Sequence, residues 1–330
     1  MNTKNHHFII TNIILVLMLG LQACVVKPGT WKNERIPSGM SEELHKKNAE
    51  VLKHLKANDP KSLRFSASKE FNADNHSRLI DLISNQLTDY DYHILDEYYV
   101  VHKLKDTDTI VAKSGDIKRY NLLYPYEATE MYMAYFIPNK PVSKSMISLV
   151  YAKLNYGWKL VKLSLAPYTI NGQTAPELYQ LAKKQFKENK VQAAYSNLAL
   201  ALTCLEPGAY WEYPDKKDAK RLYAQVGMEV NKKVKFPLIL KQLATGPMIL
   251  NVYTKNTNEG TFPLIYYMTH FDLKEKGEIE RENLQIRKVI EKLIPGLKES
   301  NKYIFYSAFN KQPTGYVTVD HYDMIENTGN

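Results

Sequence analysis

The feature that most constrains the fold is a succession of apolar, β-branched and aromatic runs in the middle of the chain. There are five of them, at 92–104, 118–126, 129–137, 145–154 and 158–166. Side chains of this type favour strands. Only Asn155, Tyr156 and Gly157 separate the last two runs. A glycine that can adopt positive φ predicts a tight hairpin there, so the sequence predicts an antiparallel meander of long strands.

Two helices are predicted before the strands. Ser41 followed by two glutamates is typical of a helix N-terminus, because the hydroxyl caps the helix and the acids face its positive end. Asp59 and Pro60 end this helix, and apolar spacing predicts a second one at 76–87. Helices followed by a meander predict an α+β fold, with the helices packed on a curved, mostly antiparallel sheet.

The stretch 41–172 resembles the nuclear transport factor 2-like superfamily. In that superfamily the last hairpin commonly reads as "AKLNYGWKLVKLSL" does here, with Trp158 opening the final strand. The resemblance implies a cone-shaped domain with an apolar pocket between sheet and helices. Some members transfer protons in that pocket with an acid and a tyrosine.

Residues of this chain that could face such a pocket are Asp96, Tyr132 and Tyr135, with His93 beside them. Asp96, Tyr132 and Tyr135 are predicted to be binding residues. The alternative is that the strand tyrosines fill the core, as tyrosines in strands usually do.

A helical hairpin is predicted after the meander. Leu178, Ala182 and Phe186 share one helix face, a polar turn follows, and Ala194, Leu198 and Ala201 share a second face. This pattern resembles a single tetratricopeptide unit, in which small residues let two antiparallel helices approach closely. With a capping helix at 218–230, the unit is assigned to residues 173–235.

The last part, 236–330, is predicted to be a small β-β-α-β-β domain. Strands are expected at 247–254 and 262–273, and later at 302–309 and 315–325. A stripe of apolar side chains between them predicts one helix on the face of an open sheet; it consists of Ile279, Ile286, Ile290, Leu293 and Leu297.

The first residues of the chain predict export and attachment to a membrane. A short apolar stretch at 8–21 follows Lys4, as in a secretory signal, and is shorter than the roughly 20 residues that a spanning helix needs. Leu21-Gln22-Ala23-Cys24 resembles the lipobox of bacterial lipoproteins. The resemblance implies a signal peptide at 1–23 and fatty acylation of Cys24, palmitate being a typical chain; the alternative is an ordinary cleavable signal.

Further expectations follow from that resemblance. Val25 and Val26 stand where an aspartate would retain a lipoprotein at the inner membrane. Delivery to the outer membrane of a Gram-negative bacterium, facing the periplasm, is therefore implied. Residues 24–40, which contain prolines and glycines and lack apolar periodicity, are predicted to be a tether that lifts the folded part off the bilayer.

Composition narrows the range of partners. The net charge is +9, and the lysines are scattered rather than clustered, which argues against nucleic-acid binding. With Cys24 acylated, Cys204 has no partner for a disulfide and is expected to be a small buried side chain. No motif for a nucleotide or another cofactor occurs, so no cofactor is expected.

Two further sets of candidate residues remain. Tyr210 and Trp211 lie in a turn-rich aromatic stretch at 207–214. If exposed, they could stack on a sugar or dock a partner protein; if buried, they join the hairpin to the next helix, and burial is the favoured alternative. The second set pairs histidines with carboxylates late in predicted strands, as a hard-ligand metal site would require. Its members are His270, Asp272, His321 and Asp323.

Together these observations predict a membrane-anchored lipoprotein that is a non-catalytic binding or scaffolding protein of the cell envelope. Its expected partner is an envelope protein, a peptide or a glycan. The competing hypothesis is a small-molecule-binding or proton-transfer enzyme that uses a pocket in the first domain.

Overall fold

The computed structural model describes residues 27–112, 117–233, 235–298, 301–314 and 318–329. The predicted signal peptide and Cys24 lie outside the described residues. The fold is α+β as predicted, with helices on a curved antiparallel sheet, a helical hairpin and a smaller sheet that carries one helix. Among the helices of the described ranges, none combines the length and the apolar character needed to cross a membrane.

Four helices precede the long strands of the main sheet. They are α1 (Ser38–Lys56), α2 (Pro60–Ser66), α3 (Lys69–Ala73) and α4 (Ser77–Asp89). The first helix begins three residues before the predicted Ser41, with Pro37 at its N-cap position and no capping side chain. The helix α1 ends at Lys56, three residues before the predicted stop at Asp59. Asp59 instead caps α2, because its carboxylate accepts a hydrogen bond of 3.0 Å from the backbone N–H of Ser62.

The main sheet has six strands in the order β1-β2-β5-β6-β7-β8, all antiparallel. They are β1 (Gly29–Lys32), β2 (Tyr92–Val101), β5 (Glu130–Pro138), β6 (Lys144–Leu154), β7 (Gly157–Ile170) and β8 (Gln173–Thr174). The hairpin between β6 and β7 turns at Gly157, whose φ of +100° requires glycine.

The predicted tether at 24–40 is wrong for most of its length. Residues 29–32 form β1, which pairs with β2 from Gly29↔Val101 to Lys32↔Tyr98. A 3-10 turn follows at Asn33–Arg35, and Ile36 is buried in the core. Sequence periodicity missed β1 because a four-residue edge strand is too short to show one.

The opposite face of the main sheet is covered by α5 (Ala175–Lys187), α6 (Val191–Thr203) and α7 (Lys216–Lys233). Their side chains share one core with Tyr98, Met133 and Tyr135 of the sheet. Ala182, Ala194 and Ala201 have no exposed surface, in keeping with a close approach of the helices. A three-stranded sheet of β3 (Asp108–Ala112), β4 (Tyr120–Tyr124) and β9 (Trp211–Glu212) belongs to this layer.

The last part is a five-stranded sheet in the order β10-β11-β12-β13-β14, in which only β12 and β13 run parallel. Its elements are β10 (Leu238–Ile239), β11 (Met248–Thr257), β12 (Gly260–Met268), α8 (Lys276–Leu293), β13 (Tyr303–Phe309) and β14 (His321–Asn327). The core lies between this sheet and α8. Asn171 links the main sheet to this smaller sheet. Its side-chain oxygen accepts a hydrogen bond of 2.7 Å from the N–H of Thr261, and its side-chain amide donates one of 2.8 Å to the carbonyl of Thr261.

Candidate functional site

Of the predicted pocket residues, Tyr132 and Tyr135 lie on opposite faces of the main sheet. They are three positions apart on one strand, so their side chains point to opposite sides. Tyr132 packs on the side of α1–α4, and Tyr135 packs on the side of the helical hairpin. Neither has any exposed surface. The predicted set of Asp96, Tyr132 and Tyr135 therefore does not line one pocket.

Asp96 lies at a β-bulge of β2, opposite Tyr135, and its carboxylate is well satisfied. It accepts a hydrogen bond from the hydroxyl of Tyr120 and another, of 3.0 Å, from the side-chain amide of Asn33. Lys32 completes the group with an ion pair of 2.8 Å. Partial burial lowers the pKa of Lys32, but the hydrogen bond to Asp96 and the further interactions with Tyr98 and Asp96 outweigh this and leave that pKa raised.

The neighbouring Glu97 makes similar contacts on the other face of the main sheet. It contacts Nε2 of His45 at 2.9 Å and accepts a hydrogen bond from the hydroxyl of Tyr132. Asn48 donates to that hydroxyl at 2.8 Å. Burial in both faces raises the pKa of Tyr120 and Tyr132, so these hydroxyls stay protonated and act as hydrogen-bond donors. The two carboxylates pair with their neighbours inside the fold.

Tyr210 and Trp211 are adjacent in sequence but differ in environment. Trp211 is buried, stacked on Tyr120 with ring centroids 3.4 Å apart, and hydrogen-bonded through its strand to β4. Tyr210 is half-buried and borders an open groove. Its φ of +65° is rare for a bulky side chain, and its carbonyl is held by the N–H of Leu123 at 2.9 Å.

The groove beside Tyr210 has a volume of about 860 Å³, and we call it the Tyr210 groove. Its walls come from α3 and the residues around it, from the turn before β5, from the β6–β7 hairpin with the first half of β7, and from Tyr210. The side chains that give it chemical character are Glu70, Asp74, His76, Glu127, Tyr156, Lys162 and Tyr210. An aromatic ring surrounded by charged and hydrogen-bonding groups is typical of sites that bind polar ligands.

Charges in the groove are arranged around the Tyr210 ring. The ammonium group of Lys162 lies 4.5 Å from the centre of that ring, within range of a cation–π interaction. Glu127 faces Lys162 from the turn before β5. The groove walls desolvate the exposed Glu127 enough to raise its pKa, although the charge of Lys162 acts in the opposite direction. Burial raises the pKa of Tyr210 to about 12.

The predicted metal ligands are spread over one end of the last sheet. His321 and Asp323 share a face of β14, with Nε2 and a carboxylate oxygen 3.6 Å apart. That carboxylate also accepts a hydrogen bond of 2.5 Å from Ser307. Asp272 lies across a shallow cavity from His321, whereas His270 does not border it.

Strand β12 ends at Met268, so His270 and Asp272 lie in a turn rather than on a strand face as expected. Among the described residues, no group of three or more His, Cys, Asp or Glu side chains is arranged to hold a metal ion. The four predicted ligands therefore do not form such a group. Cys204 is a buried thiol, as expected.

Sequence reasoning identified Tyr210 but missed Lys162 and Glu127. The groove draws on four segments that are far apart in the chain, and no local pattern connects them. The available signal was the Pro125–Ala128 turn, where a charged residue interrupts an otherwise apolar run.

Comparison of this chain with protein-family models, with curated proteins and with solved structures finds no match. The fold and the geometry of the Tyr210 groove are therefore the observations from which a function is inferred.

Proposed function

We propose that this protein is a lipoprotein of the bacterial envelope that binds a polar chain, a glycan or a peptide, in the Tyr210 groove without catalysis. The observation that carries the binding function is the half-buried Tyr210 ring at an open groove, flanked by Lys162 and Glu127. The anchor is carried by the lipobox-like residues 21–24. We place the protein on the periplasmic side of the outer membrane.

The backbone of Tyr210 supports a binding role. A bulky residue in the left-handed region costs about 1–2 kcal/mol, and such residues concentrate at ligand-binding positions. A glycine at this position would remove that cost. The aromatic ring is therefore present despite an unfavourable backbone, which fits a function for the ring itself.

The groove chemistry suits a polar polymer better than an apolar ligand. Aromatic rings bind the faces of sugars and of peptide side chains, while carboxylates and ammonium groups bind their polar edges. Anchoring agrees with this function, because each buried methylene contributes about 0.8 kcal/mol and several acyl chains hold a protein on its membrane. A protein fixed beside an envelope polymer needs only modest affinity to stay bound to it.

The competing enzyme hypothesis gains no support from Tyr132 and Tyr135. Their hydroxyls face opposite sides of the sheet, and both side chains lack exposed surface. A substrate arriving from solvent would have to displace the packed helices before it reached either one.

The test is binding of the full mature chain to two purified ligands, the envelope glycan and an envelope peptide fraction. We expect measurable binding to one of them and a loss of about tenfold or more in Tyr210→Gly, as for a central aromatic contact. Met228→Ala is the matched control, because Met228 is exposed on α7 and outside the groove. Unchanged binding by Tyr210→Gly, or no binding of the unsubstituted chain to either ligand, would contradict the proposal.

A further inference from the structure

We propose that the end of the main sheet nearest Cys24 lies on the bilayer surface and inserts Phe65, Leu104 and Tyr156 into the headgroup region. The proposal rests on the lipid anchor proposed above and goes beyond it, because it assigns a second, non-covalent membrane contact to the folded part. The occupant of this surface is a lipid bilayer that contains anionic headgroups.

The chain between the anchor and the fold is short. Cys24 is followed by four residues before β1 begins at Gly29. An extended chain covers at most about 3.3–3.6 Å per residue, so Gly29 can lie no more than roughly 18 Å from the Cα atom of Cys24. With residues 29–36 folded, no long tether remains, and the folded part is held against the membrane.

The strand register shows which part of the fold faces the anchor. Gly29 pairs with Val101, Val101 with Glu130, and Lys153 with Trp158, while Lys153 and Glu130 form an ion pair of 2.9 Å. These residues form one row across β1, β2, β5, β6 and β7. At about 4.8 Å per strand spacing, the row is roughly 19 Å wide. Residues beyond it, on the side toward which Cys24 extends, are the ones nearest the bilayer.

Large apolar side chains are exposed along this row. Leu104 lies three residues beyond Val101 and is 72% exposed, and Tyr156, at the tip of the β6–β7 hairpin, is 47% exposed. Phe65, 80% exposed, lies level with the row, because its carbonyl accepts a hydrogen bond of 2.6 Å from Lys159 of β7. Phe65 and Leu104 are the two most exposed large apolar side chains among the described residues. Water is an unfavourable environment for such side chains.

Basic side chains surround the apolar ones. Lys103 and Lys105 flank Leu104 and are exposed. The ammonium group of Lys159 lies 5.7 Å from the centre of the Tyr156 ring. Lysines with apolar stems beside aromatic rings are typical of side chains at a membrane surface, and they attract anionic headgroups. The acidic groups nearby are Glu130, already paired with Lys153, the exposed Asp106, and the carboxylates of the Tyr210 groove, which Tyr156 also borders: Glu70, Asp74 and Glu127.

The spacing of the exposed apolar side chains and the acyl anchor favour a bilayer over a protein as the partner of this surface. The three apolar side chains are spread along a row rather than gathered in one patch, which suits a plane that each of them enters separately. The acyl anchor keeps the local concentration of lipid high, so each contact needs to contribute only a little.

The experiment measures depth in the membrane. Single cysteines replace Leu104, Tyr156 and, as a control, Val142, and each carries a nitroxide spin label in the full mature chain. Val142 is 54% exposed in the turn between β5 and β6, at the other end of the sheet. The buried Cys204 does not compete for label. The proteins are reconstituted in vesicles of phosphatidylethanolamine and phosphatidylglycerol, and collisions with oxygen and with a water-soluble nickel complex are compared.

We expect labels at 104 and 156 to show a several-fold higher ratio of oxygen to nickel collisions than the label at 142. A double variant, Phe65→Asp with Leu104→Asp, should return the label at 156 to the aqueous value without changing thermal stability, because both sites are exposed. Membrane-bound protein whose three labels are equally aqueous would overturn this inference and leave the anchor intact. Protein recovered in the soluble fraction would overturn the anchor and this inference together.

Discussion

The two larger sheets of this protein differ in how they are covered. The six-stranded sheet has helices on both faces, and β5 is buried along its whole length except Glu130. The five-stranded sheet has α8 on one face, and β14 alternates between exposed and buried positions. An antiparallel sheet more often leaves one face in water, so the doubly covered sheet is the unusual one. Both faces of that sheet are packed against helices. Surfaces that can bind a ligand or a membrane therefore lie at its edges and ends.

This comparison explains where the candidate surfaces lie. The Tyr210 groove borders the outer edge of β7, and the proposed membrane contact lies at the end of the same sheet. The smaller sheet instead displays side chains on its open face, such as Tyr253 and Ile325, both about half exposed. Four predictions test the contrast, beginning with the largest expected effect.

Trp211→Ala tests whether the layer formed by α5–α7 and the three-stranded sheet packs tightly on the main sheet. Trp211 is buried against Tyr120, Tyr135 and Tyr213. Its removal leaves a large cavity, and we expect the free energy of unfolding to fall by about 3–5 kcal/mol. Chemical denaturation measures the change. A loss below about 1 kcal/mol would mean that the hairpin layer packs loosely on the sheet.

Paired substitutions compare the two sheets directly. Leu149 of β6 has no exposed surface, whereas Ile325 of β14 is 58% exposed on the open face. We expect Leu149→Ala to reduce the free energy of unfolding by about 2–5 kcal/mol and Ile325→Ala by about 0.5 kcal/mol or less. Equal losses would contradict the assignment of an open face to the smaller sheet.

Stability at high pH reports on Cys204, which lies in the core between the main sheet and the helical hairpin. Burial raises the pKa of its thiol to about 11, above its ordinary value of 9.0. The folded state therefore keeps a proton that the unfolded state releases, and stability falls as pH rises from about 9 to 11. One pKa unit corresponds to about 1.4 kcal/mol, so the effect is at most a few kcal/mol.

Unfolding measured across that pH range checks the prediction. In Cys204→Ala, the decline between pH 9 and 11 should be shallower than in the unsubstituted chain, whatever the cost of the substitution at neutral pH. Identical slopes in the two proteins would show that the thiol ionises as easily in the folded state as in the unfolded one.

Tyr210→Gly should have the smallest effect on stability. The substitution loses partial packing and the contact with Lys162, but it relieves a left-handed backbone. These contributions oppose each other, so we expect the free energy of unfolding to change by about 1 kcal/mol or less. Thermal unfolding provides the measurement. A loss as large as that of Trp211→Ala would make Tyr210 a core residue and remove the argument for the groove.

Long elements could be predicted from the sequence, whereas short ones and sites built from distant segments could not. Strands β5 and β6 lie within one residue of the predicted runs, because those apolar runs are long. Strand β7 begins within one residue of its prediction, at the glycine of the turn, but extends four residues further, to Ile170. The spacing of Tyr132 and Tyr135 already implied opposite faces, since three residues is an odd step on a strand. Lys162 and Glu127 meet only through the tertiary fold.

The central claim is that Cys24 fixes this protein to a membrane. Mass spectrometry of the N-terminal peptide, taken from the membrane fraction of the native host, tests it most directly. The account predicts a chain that begins at Cys24 and carries fatty acyl groups on that residue. An N-terminal peptide that lacks acyl groups, or that still contains residues 1–23, would contradict it.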